Sequence, residues 1–394
     1  MRWTLAQARQ AWLERQHLLP SPQRTRPASA AGIVGEIGWI PMTSGATPYF
    51  ALLARGIVAT RTELARSLGE RGELAVVPGP RGSTWLVPTA DAPVARAFAL
   101  ADFASREARI AALQALPTGD LDHAHEALRT ALAVPRSPDG LARVLSARAL
   151  RSLGAAGVKN GLATVAALVL RRMWVLGEVS RGSGDGRLDR PVATWSIDPH
   201  PRTIPAAADA VDSIAARWLR AHGPLELKAF AAAMGIAAGR AASAFRPLRP
   251  KSIEIEGLDG AFLIEPDAEP AAVPAALGVH LLPMRDPWLD VAMVGRVGAA
   301  NLRAARMRDG SPAPSVVIDG EVAANWWYDE PTRRVRIRAF DDTSAAALND
   351  RCKDAIARLE MFIATQLSDT PSHGSPARIR QRPGETPRPL DIEW

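Results

Sequence analysis

Few residues in this chain have the type and spacing to do chemistry by themselves. His123 and His125 stand two apart in a helix-like run, so they face different sides and cannot bind one metal together. A solvated pair fits them better. The single cysteine, Cys352, falls in the last amphipathic run, where it reads as a half-buried spacer rather than a nucleophile. The run Gly182-Ser183-Gly184-Asp185-Gly186 lacks the strand–loop–helix context and the lysine of a phosphate-binding loop, and reads as a hairpin turn. No Ser/His/Asp arrangement stands out, and neither a metal nor an organic cofactor is implied.

What remains is arginine. Four lysines stand against 44 arginines, with a net charge of +7. The sequence pI of about 10.3 favours a polyanionic partner. A GC-rich genome raises Arg and Ala together and accounts for the same bias equally well. Arg81, Arg171, Arg172 and Arg181 flank two hairpin-like segments and are the best candidates for phosphate contacts, although an ordinary solvated arginine is the equal alternative for each. Arg333-Arg334-Val335-Arg336-Ile337-Arg338 alternates charge with apolar residues, so one strand face carries Arg336 and Arg338. That face either lines a nucleic-acid channel or is a solvated sheet surface. Trp326-Trp327-Tyr328 could stack on an extruded base, but a core position for at least one Trp fits better.

The elements that must carry these arginines follow one plan. Thr60 and Glu63 have capping-box spacing, Leu64 and Leu68 form an apolar stripe, and Gly69 or Gly72 ends the helix. Two strand-like runs, Leu74–Val77 and Ser83–Val87, flank the turn Pro78-Gly79-Pro80-Arg81-Gly82. A helix followed by a basic-tipped hairpin is the sequence pattern of a winged helix. It recurs as an apolar helix over Asn160–Met173 with strands Trp174–Arg181 and Val192–Ile197. It recurs again as helices over Ala206–Ala221, Leu225–Met234 and Ala237–Phe245 with strands Ser252–Ile255 and Ala261–Ile264. From Leu281 the pattern turns to β, and Thr343 caps a closing helix to about Leu367. The expected fold class is α+β: three tandem winged-helix units over 1–100, 101–204 and 205–277, a small β-barrel-like domain over 278–367 with the closing helix, and a Pro/Arg-rich disordered tail over 368–394. A generic α+β fold is the alternative.

No apolar run approaches the ~20 residues of a membrane span. The N-terminal segment lacks the apolar core of a secretory signal, and the lone cysteine excludes an internal disulfide framework. These features predict a cytoplasmic protein without membrane association.

Several runs, taken in order, resemble one bacterial family, the winged-helix proteins that include the AlkZ/YcaQ-type DNA glycosylases. Arg81-Gly82-Ser83-Thr84-Trp85-Leu86-Val87-Pro88 is similar to the family's RGTLHLVP hairpin, with Trp85 in place of its His. Ala221-His222-Gly223-Pro224 matches its AHGP, Leu281-Leu282-Pro283-Met284-Arg285-Asp286-Pro287-Trp288 its LLPxxDPY, and Val317–Trp326 its VxDGxVxGxW. The resemblance covers roughly residues 2–367 and implies a chain arranged around a double-stranded DNA channel, with excision of N-alkylated or crosslinked purines as the family activity. Three tandem non-identical units argue against a two-fold dimeric repressor, and a monomer is expected.

One departure bears on that activity. The family carries a Gln-x-Gln or Gln-x-Asp pair in a run that aligns without a gap on Ile40–Arg55, and this places Pro41 and Thr43 at the two polar positions. An N-alkylated purine is already a cationic leaving group, so the site must mainly stabilise charge on the sugar and hold a water. Proline offers no side-chain acceptor or donor. Thr43 and Ser44 keep a hydroxyl that could hold a water, and Asp286 could supply a carboxylate, although a turn or packing role suits Asp286 better. The reading is a duplex-DNA-binding protein with a degenerate catalytic pair. A competent glycosylase using Thr43, Ser44 or Asp286 and a sequence-specific transcriptional regulator are the alternatives.

Overall fold

The structure is a computed structural model. It describes residues 1–21, 27–42, 45–69, 71–182, 187–189, 194–198, 202–270, 272–274, 276–290, 296–298, 301–308, 310–340 and 345–369.

The chain begins with a two-residue strand, β1 (Arg2–Trp3), and a helix, α1 (Leu5–Arg15), capped by reciprocal bonds between Thr4 and Gln7. Then α2 (Ala30–Glu36), β2 (Ile40–Pro41), α3 (Thr47–Ala54), α4 (Arg61–Leu68), β3 (Leu74–Pro78) and β4 (Thr84–Pro88) follow. The Thr60–Glu63 capping box forms as its spacing predicts: the Glu63 amide donates to Thr60 Oγ1 (3.2 Å) and the Thr60 amide to Glu63 Oε2 (2.9 Å). The sheet is antiparallel in the order β2-β4-β3.

A 22-residue helix, α5 (Ala92–Leu113), comes next and has no counterpart in the sequence reading. The order helix, short strand, helices, hairpin then returns. α6 (Thr118–Ala131), α7 (Pro138–Val144), α8 (Gly154–Lys159) and α9 (Val165–Leu176) precede β5 (Val179–Gly182) and β6 (Thr194–Ile197), with a single bridge from Arg136 to Trp195 beside β6. The helix expected over Asn160–Met173 starts five residues later, because Thr164 caps it by accepting from the Ala167 amide (3.2 Å). It also runs on to Leu176 and stops where Gly177 takes the left-handed conformation, φ 76°.

The third passage runs through α10 (Ala207–His222), α11 (Leu227–Met234), α12 (Ala238–Phe245), β7 (Lys251–Ile255) and β8 (Phe262–Ile264), with Leu225 bridged to Leu263. β1 adds in parallel to β7, so the start of the chain closes this sheet.

The last part contains β9 (Val279–Leu282), α13 (Pro287–Asp290), β10 (Ser315–Ile318), β11 (Glu321–Asp329), β12 (Arg334–Ala339) and α14 (Ala345–Gln366). The four strands form one antiparallel sheet in the order β12-β11-β10-β9. The expected β-barrel-like closure is therefore corrected: the sheet is open, and among the described residues β12 and β9 are its unpaired edges. Four strands leave too few to close a barrel, and α14 covers the sheet instead, with Leu359, Phe362 and Ile363 in the same core as Val316, Trp326 and Val335. Of the expected disordered tail, Ser368 and Asp369 are described, and the remainder lies outside the described residues.

The cores cross the repeats. One joins α2–α4 to the last sheet and α14; another joins Trp39, Trp85 and the start of α5 to α10–α12. A third belongs to α6–α9 with Trp195, and the fourth packs α1 against β7, β8 and Trp288. Among the described residues, no helix is long and apolar enough to cross a membrane.

Candidate nucleic-acid interface and site loop

The loop aligned with the family's polar pair begins on β2. Pro41 lies in register with Trp85, and the next amide, Met42, donates to the Thr84 carbonyl (2.8 Å). β2 is a sheet edge, where a residue without an N–H is tolerated. Trp85 is 3% exposed and sits edge-on to Trp39, with ring centroids 6.3 Å apart. Trp39 in turn donates its indole N–H to Asp91 (2.9 Å). The Trp standing for the family's His is thus a packing residue, paired with Pro41 across the sheet.

Thr43 and Ser44 lie outside the described residues, and the chain is described again at Gly45. A Cβ on Gly45 would stand 2.0 Å from the Leu188 carbonyl oxygen and 2.6 Å from Asp189 Cα. The segment Arg187–Asp189, from the connection between β5 and β6, therefore crosses the site loop as a strap. Its Leu188 amide donates to the Tyr49 hydroxyl (3.5 Å), a group whose pKa is pushed up to about 12 by burial and by Asp189. Arg187 donates two bonds to the Asp189 carboxylate and two, of 2.7 and 3.0 Å, to Asp369 beyond α14. These carboxylates hold the Arg187 guanidinium protonated. Arg61 at the start of α4 reaches the same Asp369 (3.2 Å). One ion cluster thus ties three separate parts of the chain beside the site loop.

The other candidate residues divide by exposure. Arg81 has an exposed side chain, but its turn is lodged in the fold: Gly82 faces Asp102 of α5, and Gly235 after α11 lies against Arg81 itself. The non-glycine left-handed backbone there, φ 59°, is held by this packing. Arg171 is 3% exposed, donates to the Gly82 carbonyl (3.3 Å) and lies over the Phe103 ring; burial brings its pKa down to about 9. Arg181 lies over the rings of Trp174 and Trp195, 5.6 and 5.9 Å from their centroids. Arg172 is exposed and faces Glu107 (3.6 Å). Arg336 and Arg338 are both exposed on β12, Arg336 near Asp329 (3.6 Å). The apolar face of that strand, Val335 and Ile337, packs inward as the alternation predicts, and Trp326 is core.

Asp286 is fully buried. Its carboxylate accepts two 2.8 Å bonds from Arg55 and one from the Trp288 amide (2.9 Å), which gives it a structural ion pair. His123 bonds Ser146 (2.9 Å) and His125 bonds Glu178 (2.7 Å), on different sides of α6. Cys352 is buried, with its thiol pKa raised by burial. Among the described residues no group of His, Cys, Asp and Glu could hold a metal ion. The cluster of Arg61, Arg187, Asp189 and Asp369 was not found in the sequence; the one available sign was the charged Gly186-Arg187-Leu188-Asp189 ending of an otherwise Gly-rich turn.

The fold defines a mixed α+β protein of repeated helix–hairpin passages capped by an open basic sheet. The family model of the AlkZ-like DNA glycosylases matches residues 34–362, and the chain belongs to that family. The solved structure of Streptomyces sahachiroi DNA glycosylase AlkZ is similar in fold, with a TM-score of 0.70 over 92% of this chain and 98% of that one, at 18% identity. No curated protein matches the chain in sequence.

Proposed function

We propose that this chain is a monomeric winged-helix protein that binds double-stranded DNA, damaged DNA included, through its phosphates and has a degenerate catalytic pair. The three passages of helix, short strand, helices and hairpin are then three winged helices over 1–100, 101–204 and 205–277, followed by a β-rich part over 278–367. Family membership supports the DNA-directed role. The observation that carries the catalytic half is Pro41, fixed in β2 against Trp85 with no side-chain donor or acceptor. Arg336 and Arg338 on β12, with exposed Arg81 and Arg172, make the phosphate contacts. Arg171 and Arg181 support the hairpins from within.

A second reading, an active glycosylase, is favoured by one observation. Asp189, whose carboxylate is fully buried, lays its backbone against Gly45, beside the loop that lacks its polar pair. The test of DNA binding is a salt titration of duplex affinity. Four phosphate contacts predict a slope of log K on log salt near about −3.6. An affinity independent of salt, or no binding at about 50 mM salt, overturns the proposal.

A further inference from the structure

Resting on that DNA-binding reading, we infer that Arg61 and Arg187 form a clamp for one backbone phosphodiester, which Asp369 occupies as an internal stand-in when DNA is absent. The geometry is that of an anion site. Both terminal nitrogens of Arg187 address the two oxygens of Asp369, at 2.7 and 3.0 Å, and Arg61 Nη1 approaches one of the same oxygens at 3.2 Å. A phosphodiester offers two non-bridging oxygens with one negative charge, so it can replace the carboxylate bond for bond.

Exposure identifies which member leaves. The Asp369 side chain is 48% exposed and that of Arg61 34%, whereas Arg187 is only 8% exposed and keeps Asp189 as a second partner. A half-exposed ion pair is weak enough to exchange with a competing anion in water. Arg187 is held in place by its own strap, so a clamp of fixed geometry remains when Asp369 swings away. The position gives the exchange a purpose. The strap lies on Gly45 and Tyr49, so a phosphate held by Arg187 puts the DNA strand directly beside the site loop. Arg61 comes from the first helix–hairpin passage and Arg187 from the second, and the clamp therefore forms only when these two parts are docked.

The experiment is anisotropy of a short labelled duplex on the full chain at about 50 mM salt, where phosphate contacts dominate. Removing the internal competitor in Asp369→Ala should tighten binding about three- to five-fold. Asp354→Ala removes an exposed charge from α14 away from the cluster and should change affinity by less than about 1.5-fold. In Arg61→Ala/Asp369→Ala the gain should vanish. The clamp is overturned if Asp369→Ala behaves like Asp354→Ala, or if its gain survives the loss of Arg61. Absence of salt-dependent binding in the unmodified chain, measured in the same series, instead removes the DNA-binding reading beneath it.

Discussion

Replacing Asp286 with alanine isolates a buried charge in a way that the structure makes quantitative. Arg55 and Asp286 are each 0% exposed, and their two 2.8 Å bonds form a bidentate pair. Arg55 also donates to the Gln16 and Ala51 carbonyls and to the Gln16 side chain, all neutral acceptors. Without the carboxylate the guanidinium keeps these bonds but stands as an uncompensated charge in the core, and the Trp288 amide loses its acceptor. Loss of one partner of such a pair costs about 3–5 kcal/mol. Asp286→Asn keeps the shape and one acceptor but not the charge, so it should still lose more than about 2 kcal/mol. Arg55→Met/Asp286→Leu removes both charges and should recover most of the loss. Urea unfolding followed by tryptophan fluorescence reads all three. An Asp286→Ala protein within about 1 kcal/mol of the unmodified chain would refute the reasoning.

Three further outcomes follow from named contacts. Gly45→Ala puts a Cβ against the Leu188 carbonyl, so the strap must move; stability should fall by about 1–3 kcal/mol and trypsin should cut after Arg187 faster. Burial holds His280 near a pKa of about 4 and lowers His222 well below its ordinary value, so both are neutral in the fold, while the unfolded chain takes up protons near pH 6.5. The unfolded state thus binds more protons below that value, and stability should be full above it and be lost as pH falls from about 6.5 towards 4. Urea midpoints against pH should show that fall, and His280→Gln should flatten it. Arg336→Ala/Arg338→Ala should leave the fold intact and reduce the salt slope of DNA binding by about 2.

The parts of this molecule legible in its sequence are those governed by local rules. The Thr60–Glu63 box and the inward Val335 and Ile337 depend on spacing within a few residues, and the structure forms both. α5 was not legible because its apolar and small residues surround the helix: Ala95, Ala97, Phe98, Ala99 and Phe103 are all buried, which blurs any stripe. β1 escaped because two residues gain their identity only by pairing with β7, some 250 positions away. For the site the same division holds. Pro41 could be aligned from the sequence, but its two-residue strand gains its identity only by pairing with β4, and no local pattern distinguishes the buried Arg171 from its exposed neighbour Arg172. Nor does spacing bring Arg61, Arg187 and Asp369 together, because that meeting is made by tertiary packing alone.

The central claim is a DNA-binding family member whose chemistry was lost at Pro41 and Thr43, and single-turnover release of N7-methylguanine from a duplex tests it most directly. Each missing polar group is worth about 10²–10³ in rate. The account predicts that the unmodified chain binds the duplex without releasing the base, while the Pro41→Gln/Thr43→Gln variant releases it. Release by the unmodified chain at the variant's rate or faster would contradict it.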